Sequence, residues 1–379
     1  MIGKIIVFYG AKKDFNKEVQ NNTKGLNVLP FMDLIQEYNT RLRPSESGIK
    51  AEVLRQRVQV EACVVEADDY GSVLDHVLPN FVNIVCLHHD IELLYVQNPP
   101  KRVLKSLQAY EAIHEDVSIE IIGSKYKRLT KTVLKKIYDK SNEEILGQES
   151  CKKSVISGLY RLKNESRQKP TVLLFYGPSG VGKTETAKVI SKCLGGELLR
   201  VQFSMMQTNE AYNYVYGAEH THSSLAKDIL GRESDIVLID EFDKVNPAFY
   251  NAFYELFDDG IYEDSNYVVD CKRTIFVLTS NFASEEEVKK ALGPAMFSRI
   301  GCCIKYEKLG NTEKAIIAKM YYNKILNMLD KEDKQTIEQS SILTWFLDNV
   351  GRYDNIRSMK NRIENAVYDE LTKKLIMES

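Results

Sequence analysis

The residues with the clearest chemical potential lie in TVLLFYGPSGVGKTETAKVI, residues 171–190. An apolar strand-like run enters GPSGVGKT, and a helical pattern leaves it, which is the context the GxxxxGK[ST] pattern requires. Glycines let the backbone wrap a phosphate chain so that several N–H groups point at the anion. The following helix N-terminus adds partial positive charge. The expected phosphate and nucleotide contacts are Gly177, Pro178, Ser179, Gly180, Val181, Gly182, Lys183, Thr184 and Glu185. Lys183 is expected to reach the β- and γ-phosphates, and Thr184 to offer its hydroxyl to Mg²⁺.

A second group lies in DIVLIDEFDK, residues 235–244, where a continuous apolar run ends in Asp240 and Glu241. Carboxylates at the carboxyl edge of a buried parallel strand fall beside a phosphate loop. Asp240 is placed to hold the hydration shell of Mg²⁺, and Glu241 to polarise an attacking water. A third apolar run, RTIFVLTSNFAS (273–284), delivers Asn281 to hydrogen-bond the γ-phosphate or that water. Other polar clusters carry less. His220 and His222 in YGAEHTHSSLAK form a His-x-His pair, but zinc needs three or four ligands, and a polar loop is the expectation. His88-His89-Asp90 reads as a solvated strand end.

Elements must position these groups. In residues 1–125, strands are expected at 4–10, 61–67, 81–89 and 117–123, and helices at 49–59, 70–78 and 100–112. Together they imply a small α/β domain of unknown role. Residues 126–170 read as a basic helical linker and an entry helix. SKYKRLTKTVLKKIYDK (124–140) is predicted to be a solvated helix with Leu129, Val133 and Ile137 as its buried stripe, and a second amphipathic helix is expected within 143–162. Residues 171–309 read as a doubly wound parallel sheet, and 310–379 as a helical lid. The net charge of −2 argues against a protein that coats nucleic acid. Seven cysteines without a CxxC pair fit free thiols in a reducing compartment. No apolar run spans a bilayer, and the lysine-flanked first run reads as a strand and not a signal peptide, so a cytoplasmic location is expected.

The order of these motifs resembles the AAA+ ATPases of the Clp clade over residues 140–379. EEILGQESCKKSV is similar to the clade's opening segment, which implies adenine contacts from Ile145 and Leu146. LIDEFDKVNPAFYNAFYELFDDGIYED is similar to its second Walker motif, with Asp258-Asp259-Gly260 downstream. The resemblance puts sensor 1 on Asn281, an arginine finger supplied to a neighbouring subunit on Arg299, and sensor 2 on Arg357, with Arg362 the nearest competitor. It implies ATP and Mg²⁺ as cofactors and a ring or spiral oligomer, a hexamer. Three departures stand out. The Gly-aromatic-Val-Gly loop that grips substrate in Clp unfoldases is replaced by the shorter AEHTHSS, as in torsin-like relatives, and Tyr214 and Tyr216 are the aromatics nearby. Between Asn281 and Arg299 there is no room for a peptidase-docking loop, and Gly293 stands where many Clp relatives carry a second arginine. The expected activity is Mg-dependent ATP hydrolysis coupled to remodelling of a protein partner. The alternatives are a regulatory switch whose oligomerisation activates the N-terminal domain, and a nucleic-acid-associated ATPase using the basic 124–140 segment.

Overall fold

The computed structural model describes residues 3–42, 57–74, 76–164, 168–206 and 208–377. Short β-branched runs followed by helices build two parallel sheets. The first unit contains β1 (Lys4–Tyr9), α1 (Lys12–Asn22), β2 (Val28–Pro30), α2 (Phe31–Leu42), β3 (Val58–Val65), α3 (Phe81–Val85), β4 (His89–Gln97), α4 (Lys101–Ile113) and β5 (Ser118–Gly123). Its strands lie in the order β2-β3-β4-β1-β5, all parallel.

Two sequence expectations fail in this unit. FVNIVCLHH is not a strand: 81–85 is the short helix α3, and the strand begins only at His89. Phe81, Ile84 and Val85 are the buried residues of that turn, and their spacing suits a helix as well as an apolar run suits a strand. Among the described residues of 70–78 there is no α-helix: one 3₁₀ turn at Asp69–Gly71, where the Asp69 carboxylate accepts from the Glu66 N–H and closes the chain locally, is followed by irregular and turn structure. The helix expected at 49–59 falls largely outside the described residues, and Val58 and Gln59 belong to β3.

The second unit opens with α5 (Lys131–Glu144) and α6 (Glu149–Tyr160). The basic segment is helical only from Lys131, after Thr130 accepts from the Val133 N–H as its cap. Leu129, Val133 and Ile137 are buried. Then come β6 (Thr171–Tyr176), α7 (Lys183–Leu194), β7 (Leu199–Gln202), α8 (Thr208–Tyr216), α9 (Leu225–Leu230), β8 (Ile236–Asp240) and α10 (Tyr250–Asp259). A hairpin of β9 (Ile261–Glu263) and β10 (Val268–Asp270) leads to β11 (Ile275–Ser280), α11 (Glu285–Phe297) and β12 (Cys302–Lys305). The sheet order β12-β6-β11-β8-β7 is wholly parallel. Strands β6, β8 and β11 are buried along their whole length, because helices cover both faces. Four helices close the chain around their own core: α12 (Asn311–Leu326), α13 (Lys331–Glu338), α14 (Ile342–Asp348) and α15 (Ile356–Met377). Among the described residues no helix is long and apolar enough to cross a membrane.

The first unit docks on the hairpin of the second. The Lys101 N–H donates to the Asn266 carbonyl at 2.8 Å, and Lys101 Nζ reaches Glu263 Oε1 at 2.5 Å and the Asp264 carbonyl at 2.6 Å. A Cβ on Gly71 would stand 3.2 Å from the His220 carbonyl, so the two backbones meet closely there. Tyr9 packs against both cores.

Candidate functional site

Strand β6 stops at Tyr176, and the chain turns through the loop into α7. Gly177 has φ of 131°, and a Cβ there would lie 2.2 Å from the Tyr306 carbonyl, so no side chain fits. Gly180 and Gly182 also have positive φ. Lys183, the first residue of α7, is buried, and its Nζ donates to the Gly177 carbonyl, the Pro178 carbonyl at 2.8 Å and Asn281 Oδ1 at 3.1 Å. Burial pushes its ammonium down to about 8, against the pull of Asp243 and then Asp240. Lys183 and Asn281, 98 residues apart, thus meet at one sheet edge.

Strand β8 brings Asp240 and Glu241 to the same edge. Asp240 is buried, with Oδ2 receiving Arg200 Nε at 3.0 Å and Nη2 at 2.6 Å, and Oδ1 receiving the Thr279 hydroxyl. Thr279 Oγ1 also accepts from the Glu241 N–H at 2.9 Å, which ties β11 to the end of β8. Glu241 takes the left-handed conformation, φ 55°, turning the chain off the sheet. Its Oε2 accepts from Ser204 Oγ at 2.5 Å and from Gln202 Nε2 at 3.4 Å.

The site fits a nucleotide and a hard cation. The glycine loop is shaped to exclude side chains, and Lys183 stands within it. The Thr184 hydroxyl and the Asp240 carboxylate are oxygen donors of the kind Mg²⁺ takes. Among the described residues Asp243 Oδ1 is buried with no hydrogen-bond partner, and its charge acts on the Lys183 ammonium.

The family described as AAA domain (Cdc48 subfamily) matches residues 168–376, more than half of the chain. The chain belongs to this AAA+ ATPase family. The chaperone ClpB of Bacteroides thetaiotaomicron is 25% identical over 420 residues, covering 92% of this chain and 47% of the relative. The human mitochondrial disaggregase is 30% identical over 203 residues, 50% of this chain and 28% of the relative. Among solved structures, the Saccharomyces cerevisiae Hsp104–ADP complex superposes with a TM-score of 0.52 at 20% identity, covering 66% of this chain and 41% of that one, a likeness of fold. The chain spans about half the length of the ClpB chaperone it matches. These matches place the AAA+ unit in the Clp clade.

Within this AAA+ unit the remaining expected residues divide into two groups. Near the loop, Ile145 is buried and its Cγ2 would meet a Cβ on Gly182 at 3.2 Å, while Leu146 is half-buried beside it in sequence. The start of α15 also reaches the loop: Asn355 Nδ2 donates to Ser179 Oγ at 3.2 Å, and Ile356 lies 3.4 Å from a Cβ built on Gly180. Arg357 is exposed at this junction, its N–H held by Asn355 Oδ1. Arg362 lines a different cavity, with Trp345 and Tyr353. Glu185 is exposed and paired with Lys188.

Arg299 is elsewhere. Its guanidinium pairs with Asp258 at 2.6 Å, lies 4.4 Å from the Tyr254 ring centre, and lines a cavity with Thr171. Thr171 begins β6 and Gly177 follows its end, so the strand puts about 20 Å between them. Arg299 therefore has no access to the phosphate loop of its own chain.

Tyr214 is buried and donates to Asp228 Oδ2 at 2.6 Å, and Tyr216 donates to the Ala248 carbonyl at 3.3 Å. The loop after them is tied to the hairpin, with Asn266 Nδ2 donating to the Ala218 carbonyl and the Ser265 N–H to the Tyr216 carbonyl. His88 and His89 turn Nδ1 to the Asn83 and Ile84 carbonyls, at 2.6 and 3.0 Å. Among the described residues no group of three His, Cys, Asp or Glu is placed to hold a metal ion.

Sequence reasoning missed Arg200, Gln202, Ser204, Asp243, Thr279 and Asn355. Arg200 and Gln202 share one side of β7 by strand alternation, the only signal that could have flagged them. Asn355 becomes meaningful only once the lid is folded against Ser179.

Proposed function

We propose that the chain hydrolyses Mg-ATP as part of an AAA+ oligomer, a hexameric ring or spiral, and uses the cycle to remodel a protein partner. The observation that carries this reading is the convergence of Lys183, Asn281, Asp240 and Glu241 on one sheet edge. Bound Mg-ATP would supply the phosphoanhydride bond and the metal charge that offsets its oxygens. Lys183 exchanges its loop carbonyls for phosphate oxygens, which restores a favourable setting for its ammonium. Thr184 and Asp240 hold the metal side. Glu241 orients the attacking water and takes its proton at a carboxylate oxygen once Ser204 yields it. Arg299, too far to serve its own site, acts on a neighbour's, so hydrolysis depends on assembly. Arg357 reports nucleotide from the lid. We divide the chain into a unit of 1–125, a linker and entry helix of 126–170, an ATPase core of 171–309 and a lid of 310–379. The direct test is hydrolysis by Glu241→Gln, which is expected to bind ATP and fall at least a hundredfold in turnover. Wild-type turnover in that variant would remove Glu241 from the chemistry.

A second reading has its own support. The loop 217–222, in the place of the substrate-gripping loop, is tied to the hairpin and backs against Gly71 of the N-terminal unit. Both loop and hairpin are thus engaged by this chain's own domain, which favours a switch that moves that domain over one that threads a client. If so, ATP turnover responds to oligomerisation alone, and unfolded protein does not stimulate it.

A further inference from the structure

Asp240 does not wait for a metal with free oxygens. Both are engaged: Oδ1 by Thr279 and Oδ2 by two N–H groups of Arg200. Arg200 belongs to β7, whose neighbour Gln202 registers opposite Asp240, and its side chain is 49% exposed against 10% for Asp240. The pair is therefore unequal. The carboxylate is fixed at the sheet edge, while the guanidinium lies on an outer strand with solvent to move into. Charge-assisted hydrogen bonds of this kind are roughly twice as strong as neutral ones. A divalent ion brought to the same carboxylate meets a resident cation, and two cations sharing one carboxylate repel.

We propose that Arg200 is a positioning residue that competes with Mg²⁺ for Asp240 and so sets the metal concentration at which nucleotide is held with its metal. This rests on the Mg-nucleotide reading above. Arg200 keeps Asp240 aimed at the site when magnesium is scarce, and it gives way to the stronger field of the ion as magnesium rises. The device delays metal loading without weakening the phosphate loop, because Arg200 makes no contact with Lys183 or the glycines among the hydrogen bonds of the described residues.

The test is binding of a fluorescent ADP analogue to the full chain, titrated with Mg²⁺ from an EDTA-treated start at constant ionic strength. Arg200→Gln is expected to lower the Mg²⁺ midpoint about tenfold, with affinity in EDTA unchanged. Arg200→Lys, which keeps the charge but not the fork, is expected to fall between the two and serves if the first variant folds poorly. An unchanged midpoint overturns the competition, and a raised one shows instead that Arg200 helps Asp240 hold the metal. Failure of the wild type to bind the analogue with or without Mg²⁺ would overturn the nucleotide reading itself, and this inference with it.

Discussion

At the scale of single residues, the site works by holding charges where a phosphate chain would relieve them. Lys183 is buried against carbonyl oxygens and Asn281, and burial alone disfavours its ammonium. Lys183→Ala is expected to abolish nucleotide binding in a filter or fluorescence assay, whereas Asn281→Ala should keep binding within a few-fold and lower turnover ten- to a hundredfold. Retained binding in the lysine variant would contradict its phosphate role. Gly177 has a purely steric task. An alanine there meets the Tyr306 carbonyl and an unfavourable φ, so Gly177→Ala should cost about 1–3 kcal/mol in a urea melt. The loop glycines, Lys183, Asp240 and Glu241 were legible in the sequence because a local pattern encodes them. Ser204, Thr279 and Arg200 were not, since their meaning comes from strands adjacent in the sheet and distant in the chain.

At the scale of elements, the sequence was most readable where an apolar run had a single interpretation. Strands β6, β8 and β11 fall where buried runs end in polar residues. FVNIV misled because five apolar-rich residues suit either a buried strand or one helical turn, and α3 uses the second option. The 124–130 stretch misled because helical composition continues past the cap at Thr130. Element geometry also separates Arg299 from its own phosphate loop. Strand β6 separates it from its own loop, and Asp258 and Tyr254 hold it in place. Arg299→Ala is expected to bind nucleotide normally while losing at least tenfold in turnover of the assembled protein. Mixing it with wild-type subunits should restore part of that turnover by giving some sites a donor. Tight nucleotide binding lost in the variant would mean that Arg299 serves its own fold instead.

At the scale of the whole molecule, the docked N-terminal unit links the site to the rest of the chain. The hairpin that holds Lys101 lies between Glu241 and Asn281 in sequence, joined to the first through α10 and to the second through β11. Exposed ion pairs contribute little by themselves, but this contact adds two backbone carbonyl acceptors and a close backbone approach. Lys101→Glu, which sets like charges against Glu263, should free the N-terminal unit and expose the 124–130 connection to limited proteolysis. A cleavage pattern unchanged from wild type would show that the docking does not depend on this contact. None of this arrangement could be read from the sequence, because nothing local marks Lys101 or Gly71 as an interface.

The most direct test of the account is the solution mass of Glu241→Gln protein, by light scattering, with ATP and with ADP. Blocking hydrolysis should trap ATP and with it the assembled state, so a large ATP-dependent oligomer is expected, falling apart in ADP. A monomer in both nucleotides would contradict an active site completed by Arg299 of a neighbouring subunit.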